Sequence, residues 1–314
     1  MSNCKQKQAN RPQYLQSNSD SGDNPTVHVV IPVFNRLEKT LLCLECLKYQ
    51  TYPAIKIVVV DDGSADRTAS VITEKYPDIH LITTRGNRWW TGSTNDGISY
   101  VCRSASPSDY VLLLNNDVTF DPGLVSNLVE YAMAQTYPCL IGAVIANKLN
   151  RNVIMDGGVR INWWSAKKVL INYKKHLSAF LPNHTEEVSV LTGRGVLYPL
   201  KAFLEHGLFD DVNFKQCGDY SLPAFLKKHN YTLVILYNAV VYAEHSDTAN
   251  INCSSTYKVS QWRDFFFGTK SNCNLRYRFY IGKYGASFIQ FPVYICCDVT
   301  RIVANFLRRV SWTE

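Results

Sequence analysis

The sequence predicts an α/β fold: a mostly parallel central sheet covered by helices, followed by a C-terminal helical appendix. Three observations carry that expectation. Val27–Val33 (VHVVIPV), residues 55–60 (IKIVVV) and residues 110–114 (YVLLL) are short, nearly continuous apolar runs, as strands covered on both faces require. Stretches of helical spacing separate them, the alternation that builds a parallel sheet. Each run ends abruptly in polar residues, and in such sheets the ligand crevice lies beyond the carboxyl ends of the strands.

The first strand is Val27–Val33, after which Leu41, Leu44 and Leu47 recur like one helix face over 37–49, ending before Tyr52-Pro53. Residues 55–60 form the second strand, broken by Asp61-Asp62-Gly63-Ser64. Asp66 is placed to cap a helix over 68–76, and His80–Thr83 is a short third strand. Residues 95–103 read as helix and 110–114 as the fourth strand, with another helix beginning near Pro122. Trp89 and Trp90 read as extended, so they point in opposite directions, one of them into the core. The second half is less regular. Residues 141–146 and 188–191 are strand-like, 200–206 and 221–228 helix-like, and 233–237 and 240–242 are strands again.

Composition sets the class. Of 314 residues, 46% are hydrophobic and 19% charged, which excludes whole-chain disorder and a disulfide-dense miniprotein. Residues 1–24 are Gln/Asn/Ser-rich with no apolar core and read as a disordered leader, not a signal peptide. No uncharged apolar run is long enough to span a bilayer. The ten cysteines then read as thiols of a reducing cytoplasm, with Cys43 and Cys46 as core thiols and not zinc ligands. The net charge of +7 is concentrated at the end of the chain, where residues 261–314 hold eight basic and three acidic side chains. Residues 276–312 mix Arg276, Arg278, Lys283, Arg301, Arg308 and Arg309 with Phe, Tyr, Ile and Val. That mixture fits either a helix docked on the rest of the chain or peripheral contact with the cytoplasmic membrane face. No recognised nucleic-acid motif accompanies the charge, so no nucleic-acid partner is expected.

The strand ends carry the chemistry. Pro32-Val33-Phe34-Asn35-Arg36 closes the first, Asp61-Asp62-Gly63-Ser64 the second, Arg85-Gly86-Asn87 the third and Asn115-Asn116-Asp117 the fourth. Singly each is an ordinary turn. Four on one rim suit a ligand with hydroxyls, amide edges and a metal-bound diphosphate. Neither the dinucleotide fingerprint nor a P-loop is present, and Gly193-Arg194-Gly195 lacks the third glycine.

The ordered series VIPVFNR, QTYP, VVVDDGS, NDGI and LLLNNDV resembles the nucleotide-sugar half of the inverting glycosyltransferases of family 2, which have the GT-A fold. The resemblance continues through Leu191-Thr192-Gly193-Arg194-Gly195, Gly207-Leu208-Phe209-Asp210 and Gly218-Asp219-Tyr220, covering about 27–245. Arg88-Trp89-Trp90-Thr91-Gly92 and the TGRG loop look most like a rhamnosyltransferase-like bacterial branch. It implies a GT-A domain over 25–250, with a nucleotide-sugar half (25–120) and an acceptor half (121–250), and an appendix over 251–314.

The resemblance also implies roles. Pro32, Asn35, Asp62, Asn87, Trp90, Asn95, Asn115, Asn116 and Arg194 would bind the donor, with Asp62 on the base and Arg194 on a phosphate. Asp117 and His245 would hold a divalent cation, Mg2+ or Mn2+, and Asp219 would be the general base. The partners implied are a nucleotide-sugar donor and a glycan or lipid-linked sugar acceptor in surface polysaccharide or glycolipid synthesis. Two positions depart from the family pattern: Asn115 stands where an acid is usual, and Gly218 replaces the acid that often precedes Asp219. They leave as the alternative a catalytically weak sugar-nucleotide or glycan-binding protein on the same fold.

Overall fold

A computed structural model describes residues 24–244 and 257–311. The expected leader therefore lies almost wholly outside the described residues, as does His245. The chain runs β1 (Val27–Val33), α1 (Leu37–Lys48), β2 (Ile55–Asp61), α2 (Thr68–Lys75), β3 (His80–Thr83), α3 (Trp89–Cys102) and β4 (Tyr110–Leu113). β1 pairs in parallel with both β2 and β4, and β2 in parallel with β3, so the expected αβ alternation is present.

Alternation within β1 assigns the two layers. Val29 and Ile31 pack with Cys43, Leu44 and Leu47 of α1 and with Leu124 and Leu128 of α4 (Leu124–Met133). Val30 points the other way, with Val58, Val60 and the α3 residues Ile98 and Val101. A Cβ on Gly97 would come within 2.5 Å of Val30 Cγ1, so this glycine of the NDGI motif is what lets α3 lie close on the sheet.

The second half supplies β5 (Thr119–Phe120), β6 (Cys139–Asn147), β7 (Ile154–Asp156), a hairpin of β8 (Val159–Asn162) and β9 (Lys167–Leu170), then β10 (Thr185–Glu187) and β11 (Val196–Pro199). α5 (Leu200–His206), α6 (Ser221–Lys228) and β12 (Thr232–Ala243) follow. The main sheet runs β10-β12-β6-β11-β4-β1-β2-β3. β11 is antiparallel to both β4 and β6, an inversion the sequence pattern did not signal. The two strands expected over 233–242 are one, β12, whose register against β6 shifts between Leu236 and Val240. Residues 188–191 carry no strand; β10 lies just before them.

α7 (Trp262–Phe267), α8 (Leu275–Gly285) and α9 (Gln290–Arg309) close the described chain. Tyr277, Ile281 and Tyr294 share a core with Val159 and Ile161 of β8, Val190, Phe214 and Ala224. Trp163 packs on Gly285 and lies 5.5 Å from the Tyr294 ring, whereas Trp164 is exposed. Cys43 and Cys46 are free thiols, and the buried Cys43 thiol is pushed far up by desolvation. Cys273 is disulfide-bonded, so not every cysteine is the thiol expected from the sequence. Among the described residues no helix is long and apolar enough to cross a membrane.

Candidate active site

The ends of β1, β2 and β4 and the start of α3 open onto one cavity of about 1210 Å³. Pro32, Asn35, Asp62, Asn87, Trp90, Asn115, Asn116, Asp117, Arg194 and Asp219 all line it. The loops after β1 and β2 are laced together. The Asn35 N–H donates to Ser64 Oγ at 2.7 Å, and the Ala65 N–H donates to Asn35 Oδ1 at 3.0 Å. Asp66 caps two helices at once, accepting from the Leu37 N–H at 2.9 Å and the Thr68 N–H at 3.2 Å.

Asp62 builds the start of α3. Its Oδ1 accepts from Thr84 Oγ1 at 2.7 Å and the Arg88 N–H at 3.0 Å, and its Oδ2 from the Trp89 N–H at 2.8 Å. These amides belong to the helix end that lacks intrahelical acceptors. Oδ2, with a single bond, is the oxygen left for a ligand. This cap corrects the extended reading of the tryptophans. α3 begins at Trp89, six residues before the helix expected from 95, and both indoles line the cavity. Trp90 Nε1 donates to Asn115 Oδ1 at 2.9 Å, and its ring lies against Gly193 of the TGRG loop, where a Cβ would clash.

Asn95, expected on the donor, does not line the cavity. Its Nδ2 donates to the Phe209 carbonyl at 2.8 Å and its Oδ1 accepts from the Phe209 N–H at 3.0 Å, so the buried amide is used up as a bracket between α3 and the GLFD segment. Asn116 Nδ2 donates to Thr40 Oγ1 at 2.9 Å, anchoring the turn to α1. Asp117 Oδ2 accepts from Arg36 Nη1 at 3.0 Å, while Oδ1 is buried without a hydrogen-bond partner. An orphaned carboxylate oxygen suits a cation. No cluster of three or more His, Cys, Asp or Glu side chains suited to a metal exists among the described residues. A hard, oxygen-seeking cation would fit the Asp117 carboxylate.

Asp219 sits in the short turn Gly218–Tyr220, its Oδ2 accepting from the Gly193 N–H at 2.8 Å. Burial pushes its carboxyl up to about 6, against the lowering pull of that N–H and of the Arg194 guanidinium; Asp156 adds to the rise. Burial likewise raises Asp156, again opposed by Arg194. Asp156 lines the same cavity. Sequence reasoning missed Ser93, whose buried Oγ has no partner at the wall, and Lys168, Lys270 and Arg278. The signal for Arg278 was visible as basic charge, but nothing local ties 278 to a cavity built from strand ends.

Two solved structures share this fold. GalNAc-T7 with UDP, GalNAc and Mn2+ aligns with TM-score 0.57 at 13% identity, over 72% of this chain and 45% of that one. The mannosyltransferase PcManGT from Pyrobaculum calidifontis, with GDP-Man and Mn2+, gives 0.52 at 13% identity over 91% and 75%. The fold is GT-A. The model described as "Glycosyl transferase family 2" matches residues 28–185, half of the chain, and the chain belongs to that family. It is 24% identical over 215 residues to the N-acetylglucosaminyl-diphospho-decaprenol L-rhamnosyltransferase of Mycobacterium tuberculosis, covering 63% of this chain and 69% of the relative. It is 35% identical over 131 residues to the undecaprenyl-phosphate 4-deoxy-4-formamido-L-arabinose transferase of Pectobacterium carotovorum, covering 40% of this chain but only 38% of that relative.

Proposed function

We propose that this chain is an inverting glycosyltransferase that moves a sugar from a nucleotide diphosphate-sugar to an acceptor hydroxyl. The observation that carries the reading is Asp219: a carboxylate raised to about 6, held by the Gly193 N–H on the wall of the strand-end cavity. A base near neutrality is matched to removing a hydroxyl proton. As Asp219 takes that proton, the acceptor oxygen bonds to the anomeric carbon and the bond from that carbon to the phosphate oxygen breaks. Its electron pair leaves on the diphosphate. One displacement inverts the centre.

Asp117, with Asn115 beside it, would hold a divalent cation through the orphaned Oδ1. When bound, such a cation neutralises charge developing on the leaving diphosphate. Arg194 serves the same charge with its planar fork. The Mn2+ bound in both structural neighbours supports the cation. Rhamnosyl transfer is the first sugar to test, supported by the mycobacterial relative's name. Membrane contact is supported by α9 and its lead-in. Ile289, Val293, Val303 and Leu307 are exposed at helical spacing, with Arg301 and Arg308 exposed near them.

The experiment is nucleoside diphosphate release from a panel of UDP-, dTDP- and GDP-sugars with and without Mn2+, with lipid-linked and free sugars as acceptors. Release from one donor, lost in Asp219→Asn with donor binding kept, supports the transferase. A folded protein that binds a donor and turns over none is the sugar-nucleotide-binding alternative. A folded protein that neither binds nor turns over any donor overturns the reading.

A further inference from the structure

The cavity has a cationic end that the donor reading does not use. Lys168 on β9, Lys270 just before α8 and Arg278 on α8 all line it. Arg278 is fixed by a two-pronged pair with Asp298, Nε donating at 2.7 Å and Nη2 at 2.5 Å, and Asp298 is fully buried. Arg301 stands 3.9 Å from the same carboxylate and donates to the carbonyls of Ala166 and Ser165 at 2.6 Å, tying the β8–β9 hairpin to α9. Lys168 Nζ lies 5.5 Å from the Tyr220 ring centre, next in sequence to Asp219, and makes no salt bridge among the described residues.

One carboxylate thus answers three cations. Burial, with Arg278 and Arg301 adding to the fall and Asp298 opposing it, lowers the Lys168 ammonium to about 7. Leaving excess positive charge on a partly desolvated wall is unfavourable unless an anion joins it. A second cavity, of about 830 Å³, is lined by Arg278, Arg301 and Arg308 and shares Asn272 and Arg278 with the first. Arg278 stands where the two meet, so the cationic wall continues out towards α9.

We propose that Lys168, Arg278 and Lys270 form a subsite for a phosphoryl group carried by the acceptor, beside the base Asp219 and apart from the donor diphosphate. This assigns the acceptor's chemical class and rests on the transferase reading. A phosphate there would satisfy Lys168 with charge-assisted hydrogen bonds and place a neighbouring sugar hydroxyl near Asp219. The phosphate can be that of a soluble sugar phosphate or of a lipid-linked sugar.

The test is calorimetric titration of the full chain with inorganic pyrophosphate, run on wild type, Arg194→Ala, Lys168→Gln and Lys168→Arg. Two classes of site are expected, one weakened by Arg194→Ala and the other weakened about tenfold or more by Lys168→Gln, with Lys168→Arg retaining most affinity. Nucleoside diphosphate affinity should not change in Lys168→Gln. In a second arm, phosphatidylcholine vesicles with and without a polyprenyl phosphate are sedimented with the protein. Lys168-dependent retention on the doped vesicles assigns a lipid-borne phosphate; Lys168-dependent pyrophosphate binding without it assigns a soluble one. Pyrophosphate and vesicle binding both unchanged in a folded Lys168→Gln overturn the subsite. Lys168-dependent phosphate binding in a protein that neither binds nor turns over any nucleotide-sugar leaves the subsite standing and removes the transferase reading.

Discussion

Arg36 lays its guanidinium on Asp117: Nη1 stands 3.0 Å from Oδ2, while Oδ1 of the same carboxylate is buried with no partner. The carboxylate that would receive a cation is thus already half-neutralised by its own chain. Arg36 holds this pose from a left-handed backbone, φ 64, at the entry to α1.

The pair should compete with a metal. Arg36→Ala is expected to tighten Mn2+ binding about threefold to fivefold in the absence of nucleotide, because a partly exposed ion pair is worth up to ~1 kcal/mol. Titration calorimetry reads it. Unchanged or weaker Mn2+ binding would show that Arg36 and the cation do not share Asp117.

As the proposed base, Asp219 should set an acid limit on turnover. A base must be ionised, so kcat should rise as pH passes about 6 and level off above it. Asp219→Asn should lower kcat on the order of a hundredfold or more and abolish that limb, with donor affinity kept. A pH profile flat from 5 to 8, as about two units around that value, would argue against this residue as base.

The same carboxyl should make the fold less stable at neutral pH. Its folded value lies above the ordinary 3.8, so the unfolded chain loses its proton first as pH rises. The penalty is absent at low pH, grows between the two values and is complete above about 6. Removing it in Asp219→Asn is expected to raise Tm by about 2–6 °C at pH above that limit, for roughly 1–2 kcal/mol in a chain of this size. The gain should vanish near the ordinary carboxyl value. An equal gain at both ends would point to packing instead.

Asp62 organises the entry to α3, so Asp62→Ala should expose the Arg88 and Trp89 amides first. Hydrogen exchange at those two amides is expected to accelerate well beyond the protein average, with a loss of about 2–4 kcal/mol in global stability from hydrogen bonds to a charged acceptor. Unchanged exchange there would mean that the helix start is held by other contacts.

Gly193 is the seat of an indole. In Gly193→Ala the new methyl would meet the Trp90 ring and force it off Asn115. A cost of about 1–3 kcal/mol, the range for overpacking a filled site, and weaker donor binding are expected together. Thermal melts and nucleotide titration distinguish this from a silent change.

The first half of the fold was legible because its signals are local. The strands starting at Val27, Ile55 and Tyr110 each declare themselves in a single apolar run, and α5 and α6 in their own spacing. The rim of the cavity followed, since strand ends in a parallel sheet converge. What was missed depends on distant partners. α3 starts early only because Asp62 reaches across to cap it, and Asn95 is spent on Phe209, 114 positions away. β11 is inserted antiparallel between two strands that precede it in the chain, and no pattern in VLYP announces that. Lys168 and Arg278 meet only after the hairpin and α8 have packed through Ile161 and Ile281.

The lone acid at 219 also has a packing cause. A Cβ on Gly218 would come within 2.5 Å of both Cγ2 and Oγ1 of Thr91, one turn into α3. A side chain at 218 would require the threonine at 91 to shift or shrink, so a second carboxylate beside Asp219 is sterically opposed in this protein as it stands. Restoring the paired acids would take two changes in a fixed order, with position 91 reduced before 218 is enlarged. The first of them brings no gain in chemistry, and the reverse order passes through a chain that must distort its own active site. Substitution at these two positions is therefore path-dependent.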